Sequence, residues 1–199
     1  MPRNQELNML GSEKELKLIR NRIKLLIAGH HGELQTRKIV AKDGEKVIMQ
    51  GTKAERVLLL TQGKVAIELN QNRKAPYTLA ILEGEQLFGE MAVLSNGIYS
   101  ADVKVIGSTA EFLVFQGEDL IRAMIFDSEL MMELLALVCE RFRKSNEVIG
   151  LMLDGISALQ DNEENLLNNI CEQLKAYKHS FKDASNQLNS IIQSNQAKL

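Results

Sequence analysis

Hydrophobic and polar positions change period twice along this chain. Leu16, Ile19, Ile23 and Leu26 or Ile27 recur at helical spacing and stop at Gly29. Ser12 and Glu15 form a capping box ahead of them, and residues 1–11 show no period and are expected to fray. From Lys38 to Phe115 the period is two. Strands are predicted over Lys38–Lys42, Val47–Gln50, Arg56–Leu60, Lys64–Leu69, Tyr77–Leu82, Ser100–Ile106 and Ala110–Phe115, with glycine or asparagine turns between them. After Gly117 the helical period returns. A short helix covers Glu118–Ile125, and a long one starts at Ser128 behind Asp127. Its stripe runs through Met131, Leu134 or Leu135, Val138, Phe142, Ser145, Ile149, Met152 and Ile156, more apolar surface than one roll can cover. Asp154-Gly155 and Gln160-Asp161-Asn162 are candidate hinges. Beyond them Leu167, Ile170, Leu174, Tyr177, Phe181, Ala184, Leu188 and Ile191 alternate at three and four residues, an unbroken heptad seam. Short strands at about 8–12-residue spacing imply a sandwich, barrel or roll.

One stretch carries candidate chemistry. Leu87 and Phe88 end a strand, Gly89-Glu90 turns, Met91 to Leu94 make one apolar helical turn, and a new strand starts at Ser100. A strand, a glycine turn and a helix start expose backbone N–H groups, and Glu90 sets an acceptor beside them. Phe88-Gly89-Glu90-Met91-Ala92-Val93-Leu94 followed by Ser100-Ala101-Asp102-Val103 resembles the phosphate-binding cassette of the cyclic-nucleotide-binding domain family, which includes catabolite activator proteins. The resemblance covers about 130 residues through the turn glycines Gly44, Gly51 and Gly63. It implies an α+β, mainly β fold: a jelly-roll-like β-roll flanked by helices, with a long dimerisation helix and a C-terminal coiled-coil helix.

In that family the glutamate holds the ribose 2′-hydroxyl, and an arginine ahead of Ser-Ala or Thr-Ala neutralises the cyclic phosphate. Glu90, Ser100 and Ala101 match, but Tyr99 stands at the arginine position and Ile98 before it. The resemblance therefore implies a nucleotide pocket of Phe88, Gly89, Glu90, Met91, Ala92, Tyr99 and Ser100, with Ser145 and Asn146 at the polar pair that meets the base. Asn146 and Ser145 also suit a register-setting role in an apolar seam. Two lost charge-assisted hydrogen bonds cost about 3–6 kcal/mol, two to four orders of magnitude in affinity. Cyclic AMP and cyclic GMP are therefore expected to bind weakly or not at all, with Tyr99 stacking on a base or closing the pocket. The alternative is a receptor for a cyclic nucleotide or cyclic dinucleotide that reads phosphate without arginine.

Composition narrows the function further. The chain has 199 residues, 45% hydrophobic, and a formal net charge of −2. That suffices for one core, and mixed charges argue against bulk binding to nucleic acid backbone. No run reaches the roughly 20 apolar residues of a membrane helix, and the N-terminus lacks an apolar leader, so a cytoplasmic location is expected. The basic first helix, with Lys14, Lys17, Arg20, Arg22 and Lys24, is read as a solvated face. Cys139 and Cys171 are read as reduced packing residues, and His30, His31 and His179 lack partners at ligand spacing, so no metal site is expected. No nucleophile–base constellation or phosphate loop points to an enzyme. Residues 161–199 are too few for a winged helix and poor in clustered Arg and Lys, which disfavours DNA. The expected organisation is residues 12–160 as the roll with its dimerisation helix and 161–199 as a heptad helix. Val138, Phe142, Ile149 and Met152, then Leu167, Ile170, Leu174, Tyr177, Phe181, Leu188 and Ile191, would serve a homodimer or a protein partner. Folding back of the last helix on its own roll is the alternative.

Overall fold

In the computed structural model the chain is described over residues 17–29, 34–70, 76–161 and 163–176. Helix α1 (17–29) precedes β1 (Arg37–Ala41), β2 (Lys46–Ile48), β3 (Arg56–Gln62), β4 (Lys64–Leu69), β5 (Tyr77–Glu83) and β6 (Gln86–Phe88). Then come α2 (Glu90–Val93), β7 (Asp102–Val105), β8 (Ala110–Gln116), α3 (Gly117–Phe126), α4 (Ser128–Gln160) and α5 (Glu164–Ala176). Two antiparallel four-stranded sheets, ordered β1-β8-β3-β6 and β2-β7-β4-β5, form the roll.

The sheets differ in what lies on their outer faces. In β3, Leu58 and Leu60 face the roll interior with Phe88, Tyr99 and Phe112. Val57 and Leu59 face the other way, joining Ile23 and Ile27 of α1, Leu120 of α3 and Leu130, Leu134 and Leu137 of α4. Helices cover that outer face, so β3 reads Val-Leu-Leu-Leu without alternation. In the second sheet Val65 and Ile67 of β4 point into the roll, while the opposite side is polar but not open: Glu68, 7% exposed, pairs there with Lys104 at 3.5 Å. Seven strands fall where the period-two pattern predicts them, within a few residues. The eighth, β6, is the strand end at Leu87 and Phe88.

Helix α1 is less solvated than its charge suggests. Arg22 bonds Glu133 of α4 at 2.8 Å and Lys24 pairs with Glu85, so two of its cations fasten it to the body. Helix α4 is capped by Asp127, whose carboxylate accepts from the N–H of Glu129 (2.8 Å) and Leu130 (3.1 Å). It runs unbroken to Gln160 through Asp154 and Gly155, so no hinge lies there; Gly155 is buried. The chain turns at Asp161, the other proposed hinge.

The heptad helix behaves differently from the main expectation. Leu167, Ile170 and Leu174 of α5 are buried in one cluster with Val148 and Ala158 of α4, flanked by Leu151 and Leu159. With so short a connection, α5 runs back antiparallel along α4. These three positions are buried within the chain, and the surface they cover is α4, not the roll. Tyr177, Phe181, Leu188 and Ile191 lie outside the described residues.

One face of α4 is thus covered along its length, first by the roll and α1, then by α5. The opposite face is open. Met132, Leu135, Cys139, Phe142, Asn146, Ile149, Leu153 and Ile156 are all exposed, and they alternate at three and four residues. Phe142 is 67% exposed. Met152 flanks this seam and is exposed, whereas Val138 is half-buried and Leu134 belongs to the core, leaving Leu135 as the surface member. Cys139 is consequently a surface residue and not a packing one; Cys171 is buried, and neither is in a disulfide.

Candidate functional site

The cassette is built at one end of β3. Gly89 has φ 91°, and a Cβ there would lie 2.7 Å from the Arg56 carbonyl oxygen and 3.1 Å from Tyr99 Cε1. Only glycine lets β6 turn into α2 this close to β3. Phe88 and Ala92 sit in the interior cluster, whereas Met91 is exposed.

Tyr99 closes the other side. Its backbone is held twice, Tyr99 N–H donating to Thr52 O (3.0 Å) and its carbonyl accepting from Gly51 N–H (2.8 Å). The side chain, 8% exposed, reaches across to β3. Its hydroxyl donates to Arg56 O at 2.6 Å and accepts from Arg56 N–H at 3.3 Å. Burial pushes the phenol above its ordinary pKa, against the opposing pull of the Arg56 N–H, so the ring stays neutral at pH 7. The ring thus lies between Gly89 and the backbone of Arg56.

Glu90 is 1% exposed. Arg141 of α4 donates Nη1 to Glu90 Oε1 and Nη2 to Leu87 O at 2.7 Å. Glu90 Oε2 has no hydrogen-bond partner, and neither does Oε1 of the buried Gln86, which shares the interior face with Phe88. Ser100, Ser145 and Asn146 are exposed. The site residues expected from the sequence thus divide. Phe88, Gly89, Glu90, Ala92 and Tyr99 form one packed unit, while Met91, Ser100, Ser145 and Asn146 stand on the surface. Arg141 was missed, although it lies one helical turn before Ser145 and is the cation that answers Glu90.

A second polar cluster steadies the strand leaving the cassette. Asp102 accepts from Lys46 Nζ at 2.6 Å, Gln50 N–H at 2.7 Å and Asn70 Nδ2 at 3.4 Å. Burial works to raise its pKa, but Lys46 and the Gln50 N–H outweigh it and hold the carboxyl below the usual range. The hydrogen bond to Asp102 raises Lys46 in turn. A shallow surface depression lined by Gly63, Lys64, Glu83, Gly84 and Gly107 lies at the far end of β3, roughly 20 Å of strand from Gly89, and takes no part in this unit. Among the described residues, no helix is long and apolar enough to cross a membrane, and no three metal-ligating side chains converge.

Comparison with known proteins follows this geometry. Residues 38–125 match the model of the cyclic nucleotide-binding domain family. No curated protein matches the chain. Among solved structures, the catabolite activator protein of Thermus thermophilus superposes with a TM-score of 0.57 at 23% identity, over 65% of this chain and 60% of that one. A transcriptional regulator from Thermotoga maritima gives 0.51 at 25% identity, over 56% of this chain and 86% of its own. A cyclic nucleotide-binding domain from Methylobacillus flagellatus KT gives 0.50 at 22% identity, over 56% and 65%. The chain spans about 60% of the length of the Thermus protein, and the likeness is one of fold. Between Lys38 and Ile125 the chain therefore matches the cyclic nucleotide-binding domain family, and its roll has the fold of the catabolite activator protein.

Proposed function

We infer that this protein is a non-enzymatic regulatory dimer whose roll has lost the family's way of holding a cyclic phosphate. One observation carries the reading. The residue at the arginine position of the cassette, Tyr99, is a buried neutral phenol whose hydroxyl is spent on the backbone of Arg56. Its ring lies against Gly89, where a phosphate would approach the turn. A neutral hydroxyl already committed to a carbonyl cannot balance a phosphate charge, and neutral donors recover only part of the ~3–6 kcal/mol that an arginine contributes.

The remaining parts support a structural use of the same geometry. Arg141 joins the cassette to α4 through Glu90 and Leu87, so a change at either end is felt at the other. The exposed seam of α4 is roughly 36 Å long at 1.5 Å per residue, a continuous apolar strip of the kind that a stable interface of about 800 Å² per partner is built on. The surface of α5 presents Glu164, Asn165, Asn168, Asn169 and Glu172, a face unsuited to phosphate backbones. Regulation on this reading is linkage: whatever engages one arrangement of roll and α4 more tightly shifts the population toward it.

Titration calorimetry of the wild type with cyclic AMP and cyclic GMP, beside Tyr99→Arg, tests the site. The wild type is expected to give no heat at concentrations that saturate an arginine-bearing relative, and the variant to gain affinity. Micromolar or tighter binding by the wild type refutes the reading. Light scattering tests the dimer, with Phe142→Glu expected to yield monomer.

A second reading rests on Glu90. Its buried Oε2 has no donor, as a carboxylate awaiting a ligand hydroxyl would be left. On that reading the roll receives a cyclic nucleotide or cyclic dinucleotide without arginine, and thermal-shift screening of the wild type against such ligands would reveal it.

A further inference from the structure

Arg56 stands at the end of β3, where that strand meets the cassette. Its backbone holds the Tyr99 hydroxyl, and its carbonyl is the group that a Cβ on Gly89 would strike. The β3–β6 register runs Leu60 to Gln86, Leu59 to Leu87 and Leu58 to Phe88, so two residues further on Arg56 comes level with Glu90. It shares the parity of Leu58 and Leu60, which face the roll interior, and so lies at the mouth of that interior. The residue is exposed, and among the described residues nothing pairs with its guanidinium. Glu55, beside it in sequence, is paired with Lys53 at 3.1 Å. Burial is the largest influence on the Tyr99 phenol and raises its pKa; the Arg56 charge pulls the other way, so the cation lies within electrostatic reach of that hydroxyl.

Two groups without partners thus flank Gly89: the exposed cation on β3, and Oε2 of Glu90, a residue 1% exposed. An acceptor-only oxygen calls for a hydroxyl or N–H donor, and a guanidinium for an anion held by two parallel hydrogen bonds. A phosphorylated sugar carries both. The form of the phosphate follows from Tyr99. A cyclic phosphate is bonded twice to its ribose and has to follow the sugar into the turn, where the Tyr99 ring lies against Gly89. A monoester is bonded once, swings outward about that link and brings nearly two negative charges to the rim.

We propose that Arg56 takes over from β3 the task of the missing cassette arginine, and that the site receives a sugar or nucleoside phosphate monoester, with a sugar hydroxyl on Glu90 and the phosphate on Arg56. This rests on the receptor reading drawn from Glu90 above and adds the cation and the class of ligand. Because Glu90 is closed to solvent, binding has to open the cassette and is slower than diffusion.

Calorimetric titration of the full chain tests it, with adenosine 5′-monophosphate, ribose 5-phosphate, adenosine, inorganic phosphate and cyclic AMP against wild type and Arg56→Gln. Arg56 is exposed, so glutamine there leaves the fold intact, as circular dichroism checks. The wild type is expected to bind at least one monoester more tightly than adenosine, phosphate or cyclic AMP, with an affinity that falls as salt is raised. Which monoester is the tighter tells whether a base is read, and either satisfies the proposal. Arg56→Gln is expected to weaken that monoester by about 10–100-fold and to leave adenosine unchanged. Monoester binding that Arg56→Gln leaves intact, or cyclic AMP binding tighter than both monoesters, overturns the proposal and leaves a receptor standing. Inorganic phosphate binding as tightly as either monoester overturns it too, since Arg56 would then act without Glu90. No heat from any of the five overturns the proposal, while the receptor reading still stands or falls by the cyclic-ligand screen.

Discussion

Replacing Arg141 by leucine isolates the contact on which the cassette and α4 depend. Glu90 is 1% exposed, and its ion pair is with Arg141. The Arg141 side chain is 24% exposed, so part of its charge is solvated whatever it touches. Removing one partner of a buried pair costs about 3–5 kcal/mol, because the other charge stays behind without compensation. The partial exposure of Arg141 places the expected loss near the lower end, about 3 kcal/mol, including its hydrogen bond to Leu87 O. For a domain of this size, that is roughly 6–12 °C in Tm at about 2–4 °C per kcal/mol. Urea and thermal unfolding followed by circular dichroism measure it. The double variant Glu90→Leu with Arg141→Leu removes both charges and is expected to recover most of the loss, since an apolar pair of similar volume is often neutral or better. If Arg141→Leu lies within about 1 kcal/mol of wild type, or the double variant is no more stable than the single, Glu90 does not rely on Arg141 and the coupling between roll and helix fails with it.

Three further outcomes are expected. Gly89→Ala sets a methyl group 2.7 Å from the Arg56 carbonyl at φ 91°, where the backbone cannot retreat, and should cost about 1–3 kcal/mol or more in urea unfolding; a neutral result would show that the turn relaxes. Asp102 is held below its unfolded value of about 3.9, so its contribution is present above that pH and is lost as pH falls through the lower folded value. Asp102→Asn should therefore flatten the acid side of the stability profile below about pH 4 relative to wild type, and an unchanged acid limb would refute the assignment. Ile170→Ala removes a buried side chain from the α4–α5 contact and should cost about 2–5 kcal/mol there. Hydrogen exchange should speed up in α5 and the end of α4 while β3 and β8 stay protected. Loss of protection in the roll as well would mean that the hairpin and roll unfold as one unit.

Much of the roll was legible because turns and alternation are local. The Lys64–Leu69 strand was placed to the residue, since its inward valine and isoleucine alternate with outward lysine and glutamate. The Gly89-Glu90 turn and the position of Tyr99 were equally plain. The partner of Tyr99 was not, because the hydroxyl bonds to backbone atoms of Arg56, which carry no signature in the residue type. Arg141 was hidden for a related reason: a lone arginine on a polar helix turn looks solvated until Glu90 is brought beneath it. The heptad of Leu167, Ile170 and Leu174 correctly announced an apolar stripe, but periodicity names the stripe and not its cover. A hairpin onto α4 and a zipper to another chain demand the same residues.

The short strand β6 closes one side of its sheet, so its outer row of peptide groups would otherwise invite another chain to add a strand. Arg141 reaches that row at Leu87 O with one end of its guanidinium while the other grips Glu90. A side chain that tethers a helix therefore also blunts an adhesive border. Variants at Arg141 should accordingly leave the Leu87 carbonyl without its guanidinium donor, and sedimentation of the folded variant would show whether that border then takes up another chain.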